Sequence, residues 1–118
     1  MLDRTGSMSS SDLADENAAA KSLLDFFSIS SPAPHVGIGA FGGTDGSSAS
    51  IVHGLTTSFG PLYTAIDTAT GSNSSVGTNL QAAVNVGQAE LVGPNSGSSH
   101  KILIIISDGD PNACGLRP

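Results

Sequence analysis

The chain has 118 residues with 4 Lys and Arg against 10 Asp and Glu, a formal charge of −6 that excludes a basic phosphate-tracking surface and so a nucleic-acid binder. Only 12% of residues are charged, and 19 Ser, 8 Thr, 15 Gly and 6 Pro make short hydroxyls and turn formers the dominant polar material of one modest domain. The single Cys114 excludes an internal disulfide and a cysteine-based zinc site.

Ser11 to Phe27 reads as an amphipathic helix. Leu13, Ala20, Leu23, Leu24 and Phe27 recur near helical period, Asp15, Glu16 and Lys21 fall elsewhere, and Ser10, Ser11 or Asp12 can cap the first turn. Pro32 and Pro34 stop the helix, and Val36 to Phe41 follows as a short strand whose Gly37 and Gly39 permit close approach of a helix or loop. After a Gly-rich turn from Gly42 to Ser48, Ala49 to Leu55 is a second strand, and the two pair as an antiparallel hairpin at one edge of a sheet.

Pro61 to Ala69 forms a short helix with Pro at its first position. A polar stretch leads to a helix over Asn79 to Val92, with Leu80, Ala83, Val84 and Leu91 as its apolar stripe and Gly87 a weak point costing about 1 kcal/mol relative to Ala. Lys101 to Ser107, with its Ile-Leu-Ile-Ile-Ile centre, reads as a strand buried on both faces inside a parallel sheet. Five apolar residues cannot span a bilayer, which takes about 20, and no membrane span is expected in this stretch. The first 25 residues carry Asp3, Arg4, Asp12, Asp15 and Glu16 and contain no apolar signal-peptide core. With only Met1 and Leu2 before the first polar turn, residues 1–118 are expected to be a single partial α/β domain that lacks most of its first strand and its last strand-helix units.

Three polar clusters fall where such a sheet places its ligands, beyond the carboxyl ends of strands. Asp3-Arg4-Thr5-Gly6-Ser7 offers oxygen at alternate positions, Gly77-Thr78-Asn79 a hydroxyl at a helix start, and Ser107-Asp108-Gly109-Asp110 a carboxylate after the buried strand. Hard oxygen donors suit Mg²⁺, which takes about six at roughly 2.0–2.1 Å. Asp3 and Asp108 balance its charge, Thr5, Ser7 and Thr78 are neutral donors, and a remaining coordination position invites a carboxylate from another molecule.

Each cluster alone also has a plain structural use. Asp3 and Ser7 suit turns and caps, Thr78 with Gln81 fits a capping box, and Asp108-Gly109 is a common turn dipeptide. Asp110 and Arg4 read as solvent-facing, Cys114 as a disulfide partner or passive loop thiol, and His35, His53 and His100 have no ligand spacing.

The three clusters in this order resemble the von Willebrand factor A domain family. Asp3-Arg4-Thr5-Gly6-Ser7-Met8 is similar to its D-x-S-x-S segment, with Thr in place of the first Ser, and Thr78 and Asp108 stand at its second and third elements. The resemblance implies a Rossmann-like doubly wound sheet, mostly parallel with one antiparallel edge strand and helices on both faces. It also implies a metal-ion-dependent adhesion site, with Asp3, Thr5, Ser7, Thr78 and Asp108 holding Mg²⁺, or alternatively Mn²⁺ or Ca²⁺, and a protein partner supplying an acidic side chain. Two other functions compete: a subunit docking within a chelatase or ATPase-type complex, and a Mg²⁺-dependent hydrolase. The chain has no P-loop, no G-x-S-x-G elbow, no H-E-x-x-H helix and no placed general base, so it is read as a binding module and not an enzyme. The Ser/Thr/Gly-rich, Lys-poor composition is similar to exported bacterial members, including those of tight-adherence pilus assembly, and implies an extracellular, cell-surface or periplasmic setting.

Overall fold

The computed structural model describes residues 1–42, 49–72, 79–97 and 100–107. Its elements run β1 (Leu2–Asp3), α1 (Ser10–Ser28), β2 (Val36–Phe41), β3 (Ala49–Thr56), α2 (Gly60–Ala69) and α3 (Leu80–Leu91). The sheet order is β1-β2-β3. β1 lies parallel to β2, with Leu2 opposite Ala40 and Asp3 opposite Phe41. β2 and β3 form the expected antiparallel hairpin, from Phe41 opposite Ala49 to Val36 opposite Thr56, with register shifts on either side of Ile38. On the far side of β1, the segment 100–107 makes one parallel bridge, Leu2 with Ile106. β1 is thus held on both sides, which places Asp3 at the middle of one sheet end.

The first helix is closed by Ser9, one residue before the expected caps. Its hydroxyl accepts the Asp12 N–H at 3.1 Å while the Asp12 carboxylate accepts the Ser9 N–H at 2.9 Å, a reciprocal box that satisfies two otherwise orphaned donors. The buried stripe of α1 is Leu13, Glu16, Ala20 and Leu24, with Leu23 and Phe27 half-buried beside it. Glu16, expected off the apolar stripe, is in it, because the steps 13, 16, 20 and 24 keep helical period.

Leu2, Leu24, Ile38, Leu62 and Ile66 form the larger part of the core, and Ala20, Ala40, Ala65 and Ala69 fill it where the helices come close to the sheet. Leu62 and Ile66 are fully buried, each contributing about 1.5–3 kcal/mol from removal of apolar surface from water. Polar contacts join α1 to α2 at the rim. The Asn17 amide donates to Asp67 and to Thr70 Oγ1, both at 2.9 Å, and Lys21 pairs with Asp67 at 2.7 Å.

Two expectations for the last third of the chain are corrected. Asn79, and not Thr78, is the N-cap of α3: its side chain accepts the Ala82 N–H at 3.0 Å. The segment 100–107 is not a strand buried on both faces, since Ile102 is 75% and Ile104 40% exposed. The reason is pairing and cover. β1 has two residues, so the ladder reaches only from Met1 N–H to Ile104 O (2.8 Å), Ile106 N–H to Met1 O (3.1 Å) and Asp3 N–H to Ile106 O (3.0 Å). α3 packs on Leu103, and an apolar groove of about 640 Å³, lined by Leu23, Leu24 and Phe27 of α1 as well as by Ile102, Leu103 and Ile104, leaves the segment short of full cover. Gly87 is correspondingly a packing feature: a Cβ there would stand 2.5 Å from Leu103 Cδ1, so the helix gives up propensity for a close approach.

Candidate metal centre

Asp3 ends β1 with its side chain fully buried, although a carboxylate in that position must be compensated by hydrogen bonds. Three donors compensate it. Oδ1 accepts the Thr5 N–H at 2.9 Å and the Thr5 hydroxyl at 2.6 Å, and Oδ2 accepts the Ser107 hydroxyl at 2.6 Å. The backbone around it is equally tied. Arg4 N–H continues the ladder to Phe41 O at 3.0 Å, and Met8 N–H closes a turn onto Thr5 O at 3.0 Å. Met8 is buried under this turn and Ser7 is exposed at its crest.

Thr5 is fully buried against Gly42. Gly42 has φ +101°, a conformation that L side chains rarely adopt, and a Cβ there would lie 2.6 Å from Thr5 Cγ2 and 3.0 Å from Thr5 Cα. The methyl by which Thr5 differs from Ser is therefore packed, and it directs the hydroxyl toward Asp3 and Ser7. Thr5 Oγ1 and Ser7 Oγ are 3.2 Å apart.

The arrangement fits a small hard cation. The Thr5 hydroxyl donates to Asp3, which turns its oxygen toward Ser7 Oγ. Two adjacent oxygens of an octahedral Mg²⁺ at 2.0–2.1 Å stand about 2.9 Å apart, close to the observed hydroxyl separation. Among the described residues no three His, Cys, Asp or Glu side chains gather at a point. His35 and His53 engage backbone carbonyls instead, Asn95 O at 2.9 Å and Gly54 O at 2.8 Å.

The structure brings Asp3, Thr5 and Ser7 together as the sequence predicts; Thr78 and Asp108, like Asp110 and Cys114, lie outside the described residues. Arg4, expected to face solvent, is half-buried, with Nε screened from water and without a hydrogen-bond partner among the described residues. Two side chains beyond those expected contribute. Ser107 belongs to the third cluster, and nothing in its spacing singles out its hydroxyl. Glu16 is 3% exposed, and its Oε1 accepts the Asp3 N–H at 2.6 Å. Its place three residues after Leu13 and four before Ala20 was the available signal.

A family model described as the von Willebrand factor type A domain matches residues 1–110. The chain belongs to the von Willebrand factor A family. The matched stretch contains all three polar clusters, and the parallel β1-β2 pair, antiparallel β3 and flanking helices are consistent with an α/β fold of this type. No curated protein and no solved structure matches the chain. Von Willebrand factor A domains mediate protein–protein interactions, which sets the class of function within which the Asp3 site is interpreted. Among the described residues no helix is long and apolar enough to cross a membrane.

Proposed function

We propose that this von Willebrand factor A domain is a divalent-metal-dependent protein-binding module whose ion accepts an Asp or Glu carboxylate from a protein partner. One observation carries the reading: the buried Asp3 carboxylate accepts the Thr5 hydroxyl at 2.6 Å and so holds Thr5 Oγ1 3.2 Å from Ser7 Oγ, two hydroxyl oxygens beside one carboxylate. Asp3, Thr5 and Ser7, with Thr78 and Asp108, would hold Mg²⁺, with Mn²⁺ or Ca²⁺ as substitutes. The bound ion would supply an electrophilic position for an anionic oxygen.

The residues of the chain do the rest. Asp3 orients the hydroxyls, and Gly42 and the Thr5 methyl keep the loop from relaxing. Asp3 and Asp108 would balance the ion's charge, and the neutral hydroxyl donors would keep it electrophilic enough to take one more anionic oxygen. The net charge of −6 gives no long-range attraction for an acidic partner, so recognition rests on the short-range metal contact and on the shape of the surrounding surface. The Ser/Thr/Gly-rich, Lys-poor composition supports work at the cell surface or in the periplasm.

The test is thermal unfolding in EDTA and then in rising Mg²⁺ or Mn²⁺, for the chain and its Asp108→Ala variant. Metal at 100 times its dissociation constant should add about 2.7 kcal/mol to the stability of the chain and leave the variant unmoved. A folded chain indifferent to both ions sinks the proposal.

A further inference from the structure

Burial and charge conflict most sharply at Glu16. It occupies the apolar stripe of α1 between Leu13 and Ala20, where an aliphatic side chain would pack without the desolvation cost of a carboxylate. Its Oε1 accepts the Asp3 N–H at 2.6 Å. The same N–H also points to Ile106 O at 3.0 Å, so one backbone donor is shared between α1 and the segment that ends in Ser107. Asp3 in turn carries the Thr5 and Ser107 hydroxyls on its two carboxylate oxygens. The end of β1, the first helix and the last described segment therefore meet at one amide.

We propose that Glu16 is a positioning residue for the metal centre. Its carboxylate oxygen ties α1 to the Asp3 amide and sets where the Asp3 carboxylate, and the hydroxyls hung on it, stand before a cation arrives. Metal sites need their donors held within about 0.5 Å of the productive geometry, and the loop from Arg4 to Ser9 is otherwise anchored at its start to β2 and at its end to α1. Glu16 couples those two anchors directly. The inference rests on the metal reading above.

The experiment is a calorimetric Mn²⁺ titration of the full chain and of its Glu16→Gln and Glu16→Leu variants, with hydrogen exchange of the Asp3 amide followed by NMR in EDTA. Gln keeps an acceptor oxygen and should rescue, binding Mn²⁺ within about threefold of the parent, whereas Leu should weaken binding at least tenfold, as loss of a ligand-orienting partner does. The Asp3 amide should exchange faster in Glu16→Leu and not in Glu16→Gln. A merely structural role would lower the unfolding temperature of Glu16→Leu and leave its Mn²⁺ affinity in place, which overturns the proposal. A folded Glu16→Gln that loses affinity tenfold also overturns it, and that arm decides alone if the Leu variant does not fold. A parent chain that binds no Mn²⁺ overturns the metal reading and this one together; a binding parent with two unaltered variants overturns this one only.

Discussion

The Ser107 hydroxyl donates to Asp3 Oδ2 across 2.6 Å, joining residues 104 positions apart in the chain. This bond closes the carboxylate's second oxygen, as Thr5 closes the first, and makes the end of the segment 100–107 part of the Asp3 site. Ser107→Ala removes a hydrogen bond to a charged, buried acceptor and should cost about 1.5–3 kcal/mol in urea unfolding. It should also weaken Mn²⁺ binding, because a carboxylate with a free oxygen can turn. A variant equal to the parent in both measurements would show that the contact is incidental.

Gly42 and Thr5 should behave as a coupled pair. Gly42→Ala forces a side chain into φ +101° and into the Thr5 methyl, and should destabilise by more than about 1 kcal/mol. Thr5→Ser removes the Cγ2 contact but not the backbone strain. The double variant should therefore recover part of the loss, a coupling of at least about 0.5 kcal/mol in a double-mutant cycle. Strict additivity would mean that the strain, and not the methyl, sets the cost.

At Gly87 two effects oppose each other. Alanine favours the α3 helix by about 1 kcal/mol, while its Cβ would press on Leu103 Cδ1. Gly87→Ala should gain clearly less than the propensity difference, and adding Leu103→Ala should raise the gain from the Gly87 change. Full stabilisation by Gly87→Ala alone would show that Leu103 yields freely.

Acid should loosen the start of α1. The Asp12 carboxyl is held below its ordinary range by the Ser9 backbone N–H, and next by the Ser9 hydroxyl. A carboxylate depressed in the folded state contributes stability that is present above its unfolded pKa and is lost as pH falls through the folded value. Asp67, depressed by Lys21 and then by Asn17, acts in the same direction on the α1–α2 contact. Helix content followed by circular dichroism should fall below about pH 4, and Asp12→Asn should remove part of that dependence. A pH-independent signal from pH 7 to pH 3 would contradict both assignments.

Local chemistry determined most of the elements. Helical period placed α1 and α3 within one or two residues, Pro61 marked the start of α2, and the glycines and alternating β-formers bounded β2 and β3. The alternate oxygens of Asp3, Thr5 and Ser7 were legible because a short turn brings such neighbours together without help from the rest of the fold.

What tertiary structure decided concerns contacts between elements distant in sequence. A charged side chain at position 16 reads as surface, and the Asp3 N–H that it meets across the fold helps make its burial tenable. An Ile-rich run reads as interior, but burial needs close cover on each face, and Ile102 and Ile104 line a groove that the helices border without filling. Ser107 carries no local signal at all. Its role arises because the Leu2–Ile106 bridge sets the end of the segment 100–107 beside the end of β1, a pairing that composition and periodicity do not encode.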